Sequence, residues 1–246
     1  MIYKRSIKQF FKGDPALKAY YNLYSTADFS NSANKPLTNN NVVLSGDGGN
    51  FNPSLSAYLR YTSAITTSFP FTWMIWVKSP YKLNSELGTG IGVLNQGGNP
   101  GAGGISPWLF FNGLNNRLDF GIYGSSDKIL EITSSTTEYP PNKWICVVAV
   151  ARGVGDGDLF ENGVKKTVNN SYSSQAPRWD PNFYIGANVA YNDYKFNGWI
   201  KEVAVFSRAL SPAEISAYYK WVVSPKKYFV FTQPSINTRR RLLLSM

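Results

Sequence analysis

The stretch Phe196-Asn197-Gly198-Trp199-Ile200-Lys201-Glu202-Val203-Ala204-Val205-Phe206 leads directly into Ser207-Arg208-Ala209-Leu210-Ser211-Pro212-Ala213-Glu214-Ile215. Trp199 to Phe206 is rich in β-branched and aromatic residues and reads as a strand. The second half reads as the start of a helix. Ser211 can accept from the free amides of the first turn, Pro212 fits the first helical position, and Glu214 completes a capping box three residues on. Ile215, Tyr218, Tyr219 and Val222 then share one stripe, so this helix has one face to lay on a sheet.

Working outward, short strands recur at Ala16 to Tyr24, Ala57–Tyr61, Phe71–Lys78, Ile91–Asn95, Trp108–Phe111, Arg117–Tyr123, Lys143–Ala151, Asp158–Glu161, Phe183–Gly186 and Trp199–Phe206. In Arg117–Tyr123, Leu118, Phe120 and Ile122 point one way while Arg117, Asp119 and Gly121 point the other, the period of a sheet buried on one face. Phe71, Trp73, Ile75 and Val77 form a similar row. Trp144-Ile145-Cys146-Val147-Val148-Ala149-Val150 is apolar in both phases and predicts a central strand covered on both sides. Asn162-Gly163 supplies the positive φ pair of a two-residue type I′ hairpin. Asp28 to Asn41 is rich in Asn, Ser and Thr and reads as a polar loop.

Composition agrees with many strands and turns. Of 246 residues, 15% are aromatic and only 16% charged, with 21 Gly and 14 Pro. The single Cys146 lies in an apolar run and reads as a small buried hydrophobe. No apolar run approaches the ~20 residues of a membrane helix, and the basic start lacks the apolar core and cleavage site of an export signal.

Charge is uneven. Residues 1–20 hold five cations against Asp14 and residues 220–246 hold six with no acid, which leaves 14 of each sign between them. The expected organisation is a basic N-terminal arm over 1–12, a sandwich over 13–222 and a basic tail over 223–246. Lys4, Arg5, Lys8, Arg239, Arg240 and Arg241 are then candidate contacts to an acidic neighbour, with solvated tails as the plainer alternative.

The segment from Asn182-Phe183-Tyr184-Ile185-Gly186 through Gly198-Trp199-Ile200-Lys201-Glu202-Val203 to Arg208-Ala209-Leu210-Ser211 resembles the closing signature of laminin-G-like domains of the concanavalin A-like superfamily. Leu17-Lys18-Ala19-Tyr20-Tyr21 with Asp28-Phe29-Ser30, Phe71-Thr72-Trp73-Met74-Ile75-Trp76-Val77 and Leu159-Phe160-Glu161-Asn162-Gly163 resemble earlier motifs of the family, in its order. The resemblance spans Gly13 to Trp221 and implies an all-β fold: a jelly-roll β-sandwich of two antiparallel sheets, one concave, with one short C-terminal helix. Relatives often hold a structural calcium near the rim. Asp28, Asp47 and Asn50 offer hard oxygen ligands, but the family's usual Asp is Lys201 here and a Gly is missing after Ser30. A solvated polar loop is the competing reading.

Chemistry is sparse. There is no histidine, which removes His-based triads and His metal ligands. The acid pattern of the superfamily's glycosidases is absent, with Glu131 and Glu138 the nearest carboxylates. The Gly-rich segments open no helix and lack the Gly-Lys-Ser/Thr ending of a phosphate loop. What remains is binding: Trp108, Trp179, Tyr191 and Tyr194 as sugar platforms, with Asn112 and Asn188 for hydroxyls. Two roles compete. One is a non-catalytic component of a virion or other particle (capsid decoration, spike or fibre) attached to protein subunits through the basic ends. The other is an extracellular carbohydrate-binding or adhesion module. A glycosidase ranks below both, and the Arg239-Arg240-Arg241 run lacks a motif for reading nucleic acid.

Overall fold

A computed structural model describes residues 5–31, 34–80, 91–99, 104–112, 117–135, 139–171, 174–187 and 195–224. Its elements in chain order are α1 (Ile7–Phe10), β1 (Leu17–Tyr21), β2 (Thr38–Asn40), β3 (Val43–Ser45), β4 (Gly48–Phe51), β5 (Tyr58–Tyr61), β6 (Phe71–Lys78) and β7 (Ile91–Asn99). There follow β8 (Gly104–Asn112), β9 (Arg117–Tyr123), β10 (Lys128–Ser134), β11 (Ile145–Gly153), β12 (Asp156–Glu161), β13 (Val164–Lys165) and β14 (Thr167–Ser171). The last are β15 (Phe183–Ile185), β16 (Gly198–Phe206) and α2 (Pro212–Val223).

The strands form two antiparallel sheets. The first runs β13-β12-β11-β6-β16-β4-β3, with β1 also paired to β16, and the second runs β14-β10-β9-β8-β7-β15-β5-β2. Between them lies the main core, where Phe71, Trp73, Ile75 and Val77 of β6 meet Leu118, Phe120 and Ile122 of β9 and Leu109 and Phe111 of β8. This is the predicted alternation, realised face to face.

The first sheet is buried on its other side as well. Ile145, Val147 and Ala149 of β11 enter the main core, while Cys146, Val148 and Val150 enter a second cluster with Met74, Trp76, Ile215 and Tyr218. A strand apolar in both phases is therefore central, as its sequence requires. The Cys146 thiol is buried, and burial pushes its pKa up, so it is inert packing.

On this outer face lie α1 and α2. α2 starts as predicted, with the Ser211 hydroxyl accepting from the Glu214 amide at 3.2 Å and the Glu214 carboxylate returning to the Ser211 amide at 2.8 Å. Its packing leaves no room over the β12–β13 turn, where Asn162 (φ 51°) and Gly163 (φ 79°) form the expected hairpin and a Cβ on Gly163 would meet Tyr219 at 2.8 Å.

Part of the stretch expected as a basic N-terminal arm packs on this face. Ser6 and Gln9 form a second capping box around α1, and Ile7 and Phe11 are buried in the outer cluster. The physical cause is the exposed apolar face of the first sheet, which two aromatic turns can cover better than α2 alone. Glu202 is the pin of this assembly. It sits at φ 51° where the β16 register shifts, and accepts from the hydroxyls of Tyr20 and Tyr218, each at 3.3 Å. Tyr218 in turn accepts from the Trp76 indole at 2.8 Å.

Candidate functional site

The second sheet presents its non-core phase outward, and this phase carries the polar chemistry. Because Leu118, Phe120 and Ile122 face the core, Arg117, Asp119, Gly121 and Tyr123 face away; on β8 the same holds for Trp108, Phe110 and Asn112. Register aligns Trp108 with Gly121 and Glu131, and Phe110 with Asp119 and Thr133, across β8, β9 and β10.

Asp119 is the centre of this face. Its two carboxylate oxygens accept separately, one from Arg117 Nε at 2.8 Å and the other from Asn112 Nδ2 at 2.7 Å. Burial raises its pKa, while the hydrogen bond from Asn112 and the Arg117 charge pull it back. On the neighbouring strand Lys128 pairs with Glu131 at 2.5 Å. Together these groups offer fixed donors and acceptors beside the partly exposed Phe110 ring, the mix that orients vicinal hydroxyls over an apolar sugar face.

The predicted platforms fall differently. Trp108 lies within β8 and is 5% exposed, because Gly121 opposite it has no side chain and the indole lies over it, 4.8 Å from the Tyr123 ring and tilted 32° to it. It is the floor of the face. Trp179 closes an edge of the main core, 5.3 Å from Phe69 and 5.9 Å from Phe71. Asn112 does belong to the polar cluster. Asn188, Tyr191 and Tyr194 lie outside the described residues; next to them in sequence, Ala187 accepts from buried Asn95, the register partner of Trp108.

Sequence reasoning placed Arg117 and Asp119 in the outward phase without naming them as ligand contacts. The alternation was the available signal; the bond from Asn112 was not, since it depends on β8–β9 register.

The residues offered for calcium lie on the turn after β1, the β3–β4 turn and β4. Asp28 is buried, and one carboxylate oxygen accepts from the Tyr20 and Ser30 amides at 3.1 and 2.8 Å, holding the turn after β1, while its other oxygen has no partner. Asp47 is exposed at the tip of the β3–β4 hairpin, and Asn50 lies in β4 opposite Val43 and Trp199. Among the described residues no three His, Cys, Asp or Glu gather as a metal site.

The assembly contacts also divide. Arg5 is spent within the chain: it donates to the Trp221 carbonyl and, at 2.9 Å, to the Ser224 carbonyl, so it closes the C-terminal end of α2. The carbonyls left open there are what attract it. Lys8 is exposed on α1. Lys4, Arg239, Arg240 and Arg241 lie outside the described residues, as does Glu138.

Two stacked antiparallel sheets, with helices on one and a polar aromatic face on the other, define a lectin-like β-sandwich. Residues 30–216 match the laminin-G-type family model described as the concanavalin A-like lectin/glucanases superfamily, and the chain belongs to that family. No curated protein sequence matches the chain. Among solved structures it is similar to the botulinum neurotoxin serotype D binding domain (16% identity, TM-score 0.63, 84% of this chain and 52% of that one). The serotype D ligand binding domain in complex with N-acetylneuraminic acid aligns at 16% identity and TM-score 0.56, over 84% and 51% of the two chains. Domain 4 of AbnA, an extracellular arabinanase from Geobacillus stearothermophilus, in complex with arabinotriose, aligns at 17% identity and TM-score 0.53, over 82% and 98%. The chain thus spans about half the length of the neurotoxin binding domains it matches. At these identities the likeness is one of fold. No helix among the described residues is long and apolar enough to cross a membrane.

Proposed function

We propose that this chain is a non-catalytic carbohydrate-binding module whose contact surface is the outer face of the second sheet, centred on Asn112, Arg117 and Asp119 with Phe110 beside them. The observation that carries the reading is the Asn112–Asp119–Arg117 cluster, pre-set by hydrogen bonds on the sheet face opposite the core. Pre-organised polar groups avoid part of the ordering cost of binding. Family membership supports it, as do structural neighbours described as binding domains and as a domain in complex with arabinotriose. Against catalysis stand the absence of histidine and the pairing of Asp119 and Glu131 to cations. A glycan array followed by titration calorimetry tests it. Binding that weakens about tenfold or more in Arg117→Ala and Asp119→Asn is expected; binding indifferent to both, or hydrolysis of any bound glycan, would overturn it.

A second reading is attachment to a particle or other subunits through the basic C-terminal tail. It is favoured by the six cations without an acid in residues 220–246. Sedimentation of the full chain beside one ending at Ser224 tests it, and identical monomeric behaviour of both would remove it.

A further inference from the structure

Where the loop between β5 and β6 meets β1 and the end of β16, the surface holds a cavity of about 190 Å³ lined by Lys18, Lys35, Thr66, Phe71, Val205 and Ser207 among others. We propose that this cavity binds a small organic phosphate monoester, with the Lys18 and Lys35 ammonium groups on the phosphate. Its lining shares no residue with the Asn112–Asp119 cluster, so the assignment stands independently of the glycan reading.

A backbone irregularity brings the two lysines together. In the β1–β16 ladder Leu17 pairs with Phe206 and Ala19 with Val205, so two steps on β1 oppose one on β16 and Lys18 is the bulged residue. A bulged residue is left out of the ladder and its side chain is re-aimed. The Lys18 carbonyl is thereby open to side chains: it accepts from Lys35 Nζ at 2.9 Å and from the Ser30 hydroxyl at 3.3 Å. The first of these bonds anchors Lys35 at the same cavity.

The acceptors on both ammonium groups are neutral. Lys35 Nζ donates to the Lys18 carbonyl and, at 3.0 Å, to the Asn34 amide oxygen, and Lys18 Nζ donates to the Pro15 carbonyl at 3.1 Å. An ammonium group has three N–H donors, which leaves one on Lys35 and two on Lys18. Among the described lining residues the two lysines are the ionisable groups, and no acid stands against them. The acids nearest to Lys18 in sequence are engaged elsewhere, Asp14 with Arg208 at 2.7 Å and Asp28 with the Tyr20 and Ser30 amides. Two positive charges without a counter-charge favour an anion.

Hydroxyl groups complete the polar part. Thr66 is 3% exposed, and its oxygen accepts from the Trp73 indole at 2.9 Å, which leaves its own proton to donate. Thr67, Ser68 and Ser207 are exposed at the rim. Two ammonium groups with hydroxyls match a phosphate monoester, which carries close to two charges and three acceptor oxygens. A carboxylate has one charge and a planar fork better met by arginine. Ile65, Phe71 and Val205 supply an apolar wall that free phosphate would leave uncovered and the carbon skeleton of an ester would cover. The volume lies below the ~300–1,000 Å³ of drug-sized ligand sites, so the ester is a small one.

Calorimetric titration of the full-length protein with phenyl phosphate, in a buffer free of phosphate, tests the assignment, with inorganic phosphate and phenol as controls. Phenyl phosphate should bind saturably and several times more tightly than inorganic phosphate, and phenol should not bind. Lys18→Gln and Lys35→Gln should each weaken binding about tenfold or more, the loss expected of a charge-assisted hydrogen bond. Both replacements keep an amide that can donate to a carbonyl, and circular dichroism verifies that each variant folds. Ser207→Asp, at the exposed rim and away from the core packing, should weaken binding as well by opposing the charge of the ligand. Inorganic phosphate bound as tightly as the ester, phenol bound as tightly as the ester, wild-type affinity in the folded lysine variants or in Ser207→Asp, or no saturation by phenyl phosphate at roughly 10 mM would each overturn the assignment.

Discussion

Arg5 lies over the ring of Trp221, its guanidinium carbon 5.3 Å from the ring centroid, and the same side chain donates to the Ser224 carbonyl at 2.9 Å. A residue near the start of the chain therefore closes α2. A cation at a helix C-terminus satisfies open carbonyls and complements the dipole, worth about 0.3–1 kcal/mol when partly exposed. Ile7, fully buried two residues on, carries more. Ile7→Ala should cost about 2–5 kcal/mol, and Arg5→Met about 1 kcal/mol or less, in urea unfolding. A chain lacking residues 1–11 with an unchanged midpoint would show that this segment does not belong to the folded unit.

Gly121 is the socket of Trp108. A Cβ there would stand 2.1 Å from the indole Cζ2, far inside contact distance. Gly121→Ala should lift the indole off the sheet, cost about 1–3 kcal/mol as overpacking does, and shift tryptophan emission to the red. Unaltered emission and stability would mean that the ring rests elsewhere in solution.

Glu202 gives a pH dependence with a definite sign. Burial, opposed by Lys201 and by the Ile7 amide and the Tyr20 and Tyr218 hydroxyls, lifts its carboxyl from 4.5 to about 7. The protonated form is thus the better accommodated one in the folded protein, with Arg5 and Asp47 the other charged groups on the cavity it borders. Its contribution is complete below about pH 4.5 and is lost as pH rises through 7. Thermal stability should fall across that window, and Glu202→Gln should flatten the fall. A wild-type profile indistinguishable from that of Glu202→Gln would refute the assignment.

Arg208 gives the opposite sign at acid pH. One of its nitrogens lies 2.7 Å from both Asp14 and Glu214, and chiefly this bond lowers the Glu214 carboxyl to about 2. A depressed acid contributes above its ordinary 4.5 and loses that contribution as pH falls towards 2. Since Arg208 and Glu214 are about one third exposed, screening keeps the pair to about 1 kcal/mol. Arg208→Met should raise the midpoint pH of acid unfolding; acid unfolding at the wild-type pH would count against the pairing.

The strands that could be read from the sequence are those whose pattern is set by what both faces touch. β6 and β9 appear at the expected bounds, and β11 is central because it is apolar in both phases. β10 went unread although Ile129, Leu130 and Ile132 mark its buried side, and α1 although Ser6 and Gln9 have capping-box spacing. β2, β3 and β4 are short and partly polar, and β2 falls in the expected polar loop; their strand geometry comes from pairing, β2 and β3 at sheet edges and β4 between β16 and β3.

The site was readable in one dimension only. Periodicity in Arg117 to Tyr123 shows that Arg117, Asp119 and Gly121 share a face, because side chains in an extended chain alternate whatever surrounds them. The same local physics determined the α2 cap, the Asn162-Gly163 hairpin and the two-faced burial of β11. Which strand lies alongside, and in what register, is a property of contacts distant in sequence. Only the tertiary structure brings Asn112 to Asp119, lays Trp108 on Gly121, and turns the basic Arg5 inward to close α2.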